Sequence, residues 1–115
     1  MIINDEAVEY TLKAEKDNPD KTIFLIKEMD SSVSFMLLEQ ATSFDENGKI
    51  KSQDLAKSTK IMIEQGLVGW KNFKNKKGEI PYARENIYKL PLSTIYELVT
   101  AIETLSHPTK AEIKN

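Results

Sequence analysis

The chain holds one histidine, His107, and no cysteine. A nucleophile–histidine–carboxylate triad needs all three groups fixed on rigid structure. His107 instead stands beside Pro108, close to the C-terminal end, and reads as a structural or solvent-exposed residue. Without cysteine there is no disulfide scaffold and no thiolate site for zinc or an iron–sulfur cluster, and one histidine cannot build a multi-histidine centre. The adjacent acids Asp5/Glu6 and Asp45/Glu46 would act as acid–base pairs only if burial shifted their pKa values. Both pairs lie in polar stretches, where carboxylates stay solvated. The four glycines form neither G-x-G-x-x-G nor G-x-x-x-x-G-K-[ST], so no phosphate cradle is supported. No catalytic residue, metal ligand or cofactor is expected.

Two other patterns touch on chemistry. With Gly48 at the sixth position of an EF-hand loop, Asp45 falls third, Asn47 fifth, Ile50 eighth and Asp54 twelfth. The fit is incomplete. Ser43 stands first in place of a carboxylate, Asp54 is one methylene shorter than the usual bidentate Glu, and Lys49 and Lys51 add positive charge. A solvated turn at Asn47-Gly48 between two helices explains the stretch better, with Asp54 in a first helical turn. Lys71, Lys74, Lys76 and Lys77 lie around Trp70 and Phe73. Basic residues interleaved with aromatics can hold single-stranded nucleic acid. Here they crowd a turn, in a chain whose pI is about 5.5, and no nucleic-acid partner is expected.

The elements that would position these residues can be read from periodicity. Val8, Tyr10 and Leu12 alternate with polar residues and predict a short strand. Asn18-Pro19-Asp20 supplies turn chemistry, and Thr22–Ile26 gives a second strand, so an antiparallel hairpin is expected. Asp30, Ser31 and Ser32 are candidate caps for a helix whose stripe is Val33, Leu37, Ala41 and Phe44. Ser52 is the candidate cap of a second helix with stripe Leu55, Thr59, Met62 and Ile63, and Gly66 is a stop in the left-handed conformation. Residues 67–73 are extended or turned, Lys76–Glu79 form an exposed tight turn, and residues 83–89 a short helix. Pro91 opens a final helix carrying Ile95, Leu98, Ile102 and Leu105, widened by Leu92, Tyr96 and Val99, and ending near Ser106-His107-Pro108. Thr109–Glu112 matches a capping box, but only three residues follow. The fold expected is α+β, mostly α: an N-terminal β-hairpin, then three to four helices, with a short extended or hairpin segment around 67–82. Residues 1–108 form a single domain and 109–115 a frayed tail.

Charge is distributed unevenly along the 115 residues. Residues 1–48 hold four Lys and eleven Asp/Glu, residues 49–89 ten Lys/Arg and four Asp/Glu, and residues 90–115 two Lys and three Glu. The segments therefore carry −7, +6 and −1, giving the net −2. Either they fold against one another and cancel, or acidic and basic faces meet between copies or across a partner interface. No apolar run approaches the roughly 20 residues that cross a bilayer, so no membrane association is expected. The opening Met1-Ile2-Ile3-Asn4-Asp5-Glu6 lacks a secretion signal's basic start and apolar centre. The expected location is the cytoplasm.

Two stretches together resemble a known family. One is Glu9-Tyr10-Thr11-Leu12 with Asp17-Asn18-Pro19-Asp20-Lys21-Thr22-Ile23-Phe24-Leu25-Ile26-Lys27. The other is Gly66-Leu67-Val68-Gly69-Trp70-Lys71-Asn72-Phe73 with Gly78-Glu79-Ile80-Pro81-Tyr82 and Glu85-Asn86-Ile87. They are similar to the small tail assembly chaperones, or closely related tail-module proteins, of long-tailed bacteriophages. There a D-x-P-x-x-T-x-F strand precedes helices, and a G-W-K … G-x-x-I/V-P-[FY] hairpin precedes a helix rich in Leu and Ile. The likeness spans most of residues 8–105 and departs at Leu90-Pro91 and at the lysine-rich hairpin tip.

The resemblance implies a non-enzymatic protein of the host-cell cytoplasm. It would coat the phage tape-measure protein, help recruit tail-tube protein, and self-associate as a homo-oligomer. The alternative is a helical adaptor or structural subunit of the virion. Trp70 reads as a core plug or as a partner anchor, and the Tyr96/Val99 edge of the wide final stripe can face core or partner. The candidate partner-binding residues are Trp70, Phe73, Tyr82, Tyr96 and Val99.

Overall fold

The computed structural model describes residues 6–106. Asp5, His107, the Thr109–Glu112 box and the 109–115 tail lie outside them. Strands β1 (Val8–Thr11) and β2 (Ile23–Ile26) pair antiparallel from Val8↔Ile26 to Thr11↔Ile23. The alternation sends Val8, Tyr10 and Leu12 against the core, where Phe24 and Ile26 are buried. The connection is ordered by the turn chemistry of its residues: the Asp20 amide donates to Asn18 Oδ1 at 2.9 Å. The N-terminal hairpin is present as expected.

The mostly-α expectation does not hold. Among the described residues helix accounts for 44% and strand for 24%, in four α-helices and three small antiparallel sheets. Helix α1 (Ser31–Gln40) is capped by Asp30, whose side chain accepts from the Ser32 and Val33 amides. It stops before Phe44 because Thr42–Phe44 becomes strand β3, paired with β4 (Ile50–Gln53). Gly48, at φ 78°, supplies the left-handed residue that closes this hairpin. Phe44 is 49% exposed. A four-residue helical spacing ending in β-branched Thr42 and an Asn-Gly turn is satisfied better by a hairpin. The Ser43–Asp54 stretch is thus a β-hairpin and not the open loop between two helices that an EF-hand requires. Its Asp45 carboxylate accepts from the Asn47 and Lys49 amides, both at 2.9 Å.

Asp54, and not Ser52, caps helix α2 (Leu55–Gly66), accepting from the Lys57 amide at 3.1 Å. Gly66 does not end it in the left-handed conformation; the described glycines with positive φ are Gly48 and Gly78. A side chain at 66 would lie 2.6 Å from Ile102 Cδ1. Glycine is there because α2 and α4 approach closely. The chain runs directly into β5 (Leu67–Lys71), which pairs antiparallel with β2 and completes a sheet of order β1–β2–β5. The extended stretch after Gly66 is therefore a core strand.

Asn72, at φ 61°, ends β5 and donates to the Asp20 and Lys21 carbonyls. A small hairpin, β6 (Lys74–Asn75) and β7 (Gly78–Glu79), follows. Helix α3 (Arg84–Ile87) buries Ile87, and helix α4 (Leu92–Ser106) buries Ile95, Leu98, Val99 and Ile102. The core joins these to Phe24, Ile26, Ile63 and Leu67. Fully burying such an aliphatic or aromatic side chain contributes about 1.5–3 kcal/mol.

Candidate protein-binding groove

A groove of about 560 Å³ runs between the sheet and the last helix. Its floor and near wall are Val8, Tyr10 and Ile26. Its far wall is two adjacent rows of α4 stepping by four residues, Tyr96–Thr100–Thr104 and Glu97–Ala101–Leu105. Residues at that spacing share a helix face. Ala101 and the two threonines keep the wall low. The threonine hydroxyls donate back along the helix, Thr100 to the Tyr96 carbonyl at 3.0 Å and Thr104 to the Thr100 carbonyl at 2.9 Å. They are satisfied without any partner across the groove. β1 lies at the sheet edge, and no described strand pairs with its outer side.

One polar staple fixes the mouth. The Tyr10 hydroxyl donates to Glu97 Oε2 at 2.6 Å, and the Lys13 amide donates to the same oxygen at 2.9 Å. Burial, reinforced by the hydrogen bond to the Glu97 carboxylate and its charge, pushes the Tyr10 phenol up to about 12. The Tyr10 hydrogen bond in turn holds the Glu97 carboxyl below its ordinary value, helped by the Lys13 amide and ammonium.

The five candidate partner-binding residues fall in two places. Tyr96 is 53% exposed on the groove rim, while Val99, on the same helix, is buried in the core. Trp70, Phe73 and Tyr82 come together elsewhere. The Trp70 ring meets Phe73 and Tyr82 edge-on, with centroids 5.1 Å and 5.0 Å away. Trp70 is buried and its indole N–H donates to the Ile80 carbonyl at 2.8 Å. Phe73 is half-buried against the core. Tyr82 remains 39% exposed, its hydroxyl donating to the Leu67 carbonyl. Of the groove's other lining residues, Val8, Tyr10 and Leu105 read in the sequence as apolar stripe and Ile26 as part of a strand, whereas Glu97, Thr100, Ala101 and Thr104 fall outside the stripe of the final helix. The i, i+4 rows of α4 signal a second face, but what stands opposite comes from the other end of the chain.

Comparison with models of protein families, with curated proteins and with solved structures returns no match for this chain. Among the described residues, no group of three His, Cys, Asp or Glu is placed to hold a metal ion. No helix among them is long and apolar enough to cross a membrane.

Proposed function

We propose that this chain acts by binding another protein, as a tail assembly chaperone of a long-tailed bacteriophage that receives the tape-measure protein. The observation that carries the reading is the groove between β1 and α4. Its walls are mainly apolar, its threonines are internally satisfied, and its rim carries an exposed tyrosine. Such a surface suits the apolar face of an amphipathic helix, the repeating feature of a long helical rod. Tyrosine at the rim adds a large contact area with few rotatable bonds. The sequence likeness around Gly66–Phe73 and Gly78–Tyr82 supplies the phage context.

The test is co-expression with a tape-measure protein. Soluble tape measure that co-purifies with this chain supports the reading, and Thr100→Arg, which places a long cation in the groove, should abolish co-purification while leaving the far-ultraviolet circular dichroism unchanged. If the tape measure stays insoluble and nothing co-elutes, the reading fails.

A further inference from the structure

The groove between β1 and α4 differs at its two ends. β1 and α4 run in opposite directions along it. At one end the Tyr10 hydroxyl and the Lys13 amide meet Glu97. At the other, the Met29 amide, just beyond β2, donates to Ser106 Oγ at 2.8 Å, which brings Ile26 and its strand partner Val8 beside Leu105. The Leu105 end is apolar, made by Val8, Ile26, Ala101 and Leu105, whereas the Glu97 end holds a carboxylate. Eight residues of α4 separate Glu97 from Leu105, about 12 Å, or just over two turns.

One oxygen of the Glu97 carboxylate is left over. Both hydrogen bonds end on Oε2, and Oε1 accepts none among the described residues. The charged residues lining the groove are Glu9, Lys13 and Glu97. Glu9 is paired with Lys71 at 3.2 Å, and the other ion pair among the described residues, Arg84–Glu64 at 3.6 Å, lies elsewhere. The Lys13 ammonium acts on Glu97 through space, without an ion pair. Glu97 is half-buried, so solvent still reaches it while the groove is open. An ionised carboxylate withdrawn from water without a partner is heavily penalised. A helix whose apolar face covers the groove must therefore bring a donor to Oε1, and a cation there makes a charge-assisted hydrogen bond.

We infer that Glu97 is the specificity-determining residue of the groove: its occupant is an amphipathic helix carrying a lysine or arginine about two turns from its farthest apolar anchor, the cation on Glu97 Oε1 and the anchor against Val8, Ile26, Ala101 and Leu105. The inference rests on the reading of this groove as a helix-binding site, and it adds the sign of the partner's charge and the place of that charge on the helix. A helix with an acidic or apolar residue at that place is turned away, because it repels the carboxylate or leaves it unpaired. Since one end of the groove is charged and the other apolar, the bound helix has a single register along it.

Two synthetic helical peptides test it. They share one stripe of leucines and differ at a single position on that face, two turns from the farthest leucine: lysine in one, glutamate in the other. In fluorescence anisotropy at about 50 mM salt, the wild-type chain should hold the lysine peptide at least about tenfold more tightly, and the gap should narrow at about 500 mM. Glu97→Gln keeps a side-chain oxygen for the Tyr10 and Lys13 donors but carries no charge, so it should hold the two peptides within about threefold of each other. Lys13→Ala removes the neighbouring cation of the chain itself and should keep the full preference. Circular dichroism of both variants should match the wild type. A wild type that holds both peptides equally, a preference that survives Glu97→Gln or vanishes in Lys13→Ala, or loss of both peptides by Glu97→Gln would overturn the inference and leave the groove as a helix-binding site. Binding of neither peptide by the wild type would overturn both.

Discussion

Ile102 fills the volume that a side chain at Gly66 would need. A Cβ there would lie 2.6 Å from Ile102 Cδ1 and 2.7 Å from Cγ2, and Ile102 is fully buried. Gly66→Ala is therefore expected to destabilise the protein by about 1–3 kcal/mol through overpacking, despite alanine's better helix propensity. Ile102→Val in the Gly66→Ala background should recover part of the loss. Urea titration of the two single variants and the double variant measures the coupling, and strictly additive losses would contradict the contact.

Trp70 anchors the core through both surface and hydrogen bond. Trp70→Phe should cost about 2–3 kcal/mol, because it leaves a cavity beside Phe73 and Tyr82 and deprives the Ile80 carbonyl of its indole donor. Circular dichroism during urea unfolding checks this; a loss below about 0.5 kcal/mol would place Trp70 outside the structural core.

Asn72 combines a left-handed backbone with two side-chain donations to the turn between β1 and β2. Asn72→Gly loses the hydrogen bonds but suits the backbone, whereas Asn72→Ala loses both. The alanine variant should be less stable than the glycine variant by about 1 kcal/mol. Thermal midpoints of the pair decide it, and the reverse order would contradict the conformational argument.

The β1–α4 staple predicts a dependence on pH. Tyr10 is pushed up to about 12, and so is Tyr88, where burial acts together with a hydrogen bond to Glu64. The folded state holds both phenolic protons more tightly than the unfolded chain, whose tyrosines titrate near 10. Their contribution is intact below pH 10 and is lost as the pH rises toward 12. The Tyr10→Phe, Tyr88→Phe double variant should show a shallower fall in thermal midpoint across that window than the wild type. At the acid end Glu97 acts with the opposite sign, since its carboxyl is held low: its contribution is present above the ordinary glutamate range and disappears as the pH drops through the folded value. Glu97→Gln should remove that acid-side component, and identical acid profiles would argue against the staple.

The parts of this fold that could be read from the sequence are those set by local periodicity. Val8, Tyr10 and Leu12 mark one face of a strand. Ile95, Leu98 and Ile102 mark one face of a helix, and all three are buried. The α1 stripe misled at Phe44, where helical spacing continued by chance into residues that a hairpin turn claims. Gly66 was ambiguous because a stop and a close helix contact both select glycine, and only the position of Ile102 distinguishes them. Trp70 as a core residue was legible from its size and place, but its union with Phe73 and Tyr82 depends on the fold of the β6–β7 hairpin between them. The groove was not legible, because it exists only where β1 and α4, at opposite ends of the sequence, are brought side by side. The uneven charge along the chain was visible in the residue counts.

The β2–β5 register bears on how the molecule comes together. Ile26 lies beside Leu67, so β5 can join β2 only after about forty intervening residues have been brought to closure. The first two strands meet across a short connection, and α1 and α2 are built from neighbours in the chain. The expected order is local pieces first, with the third strand docking late, and refolding slower than in a helical bundle of the same length.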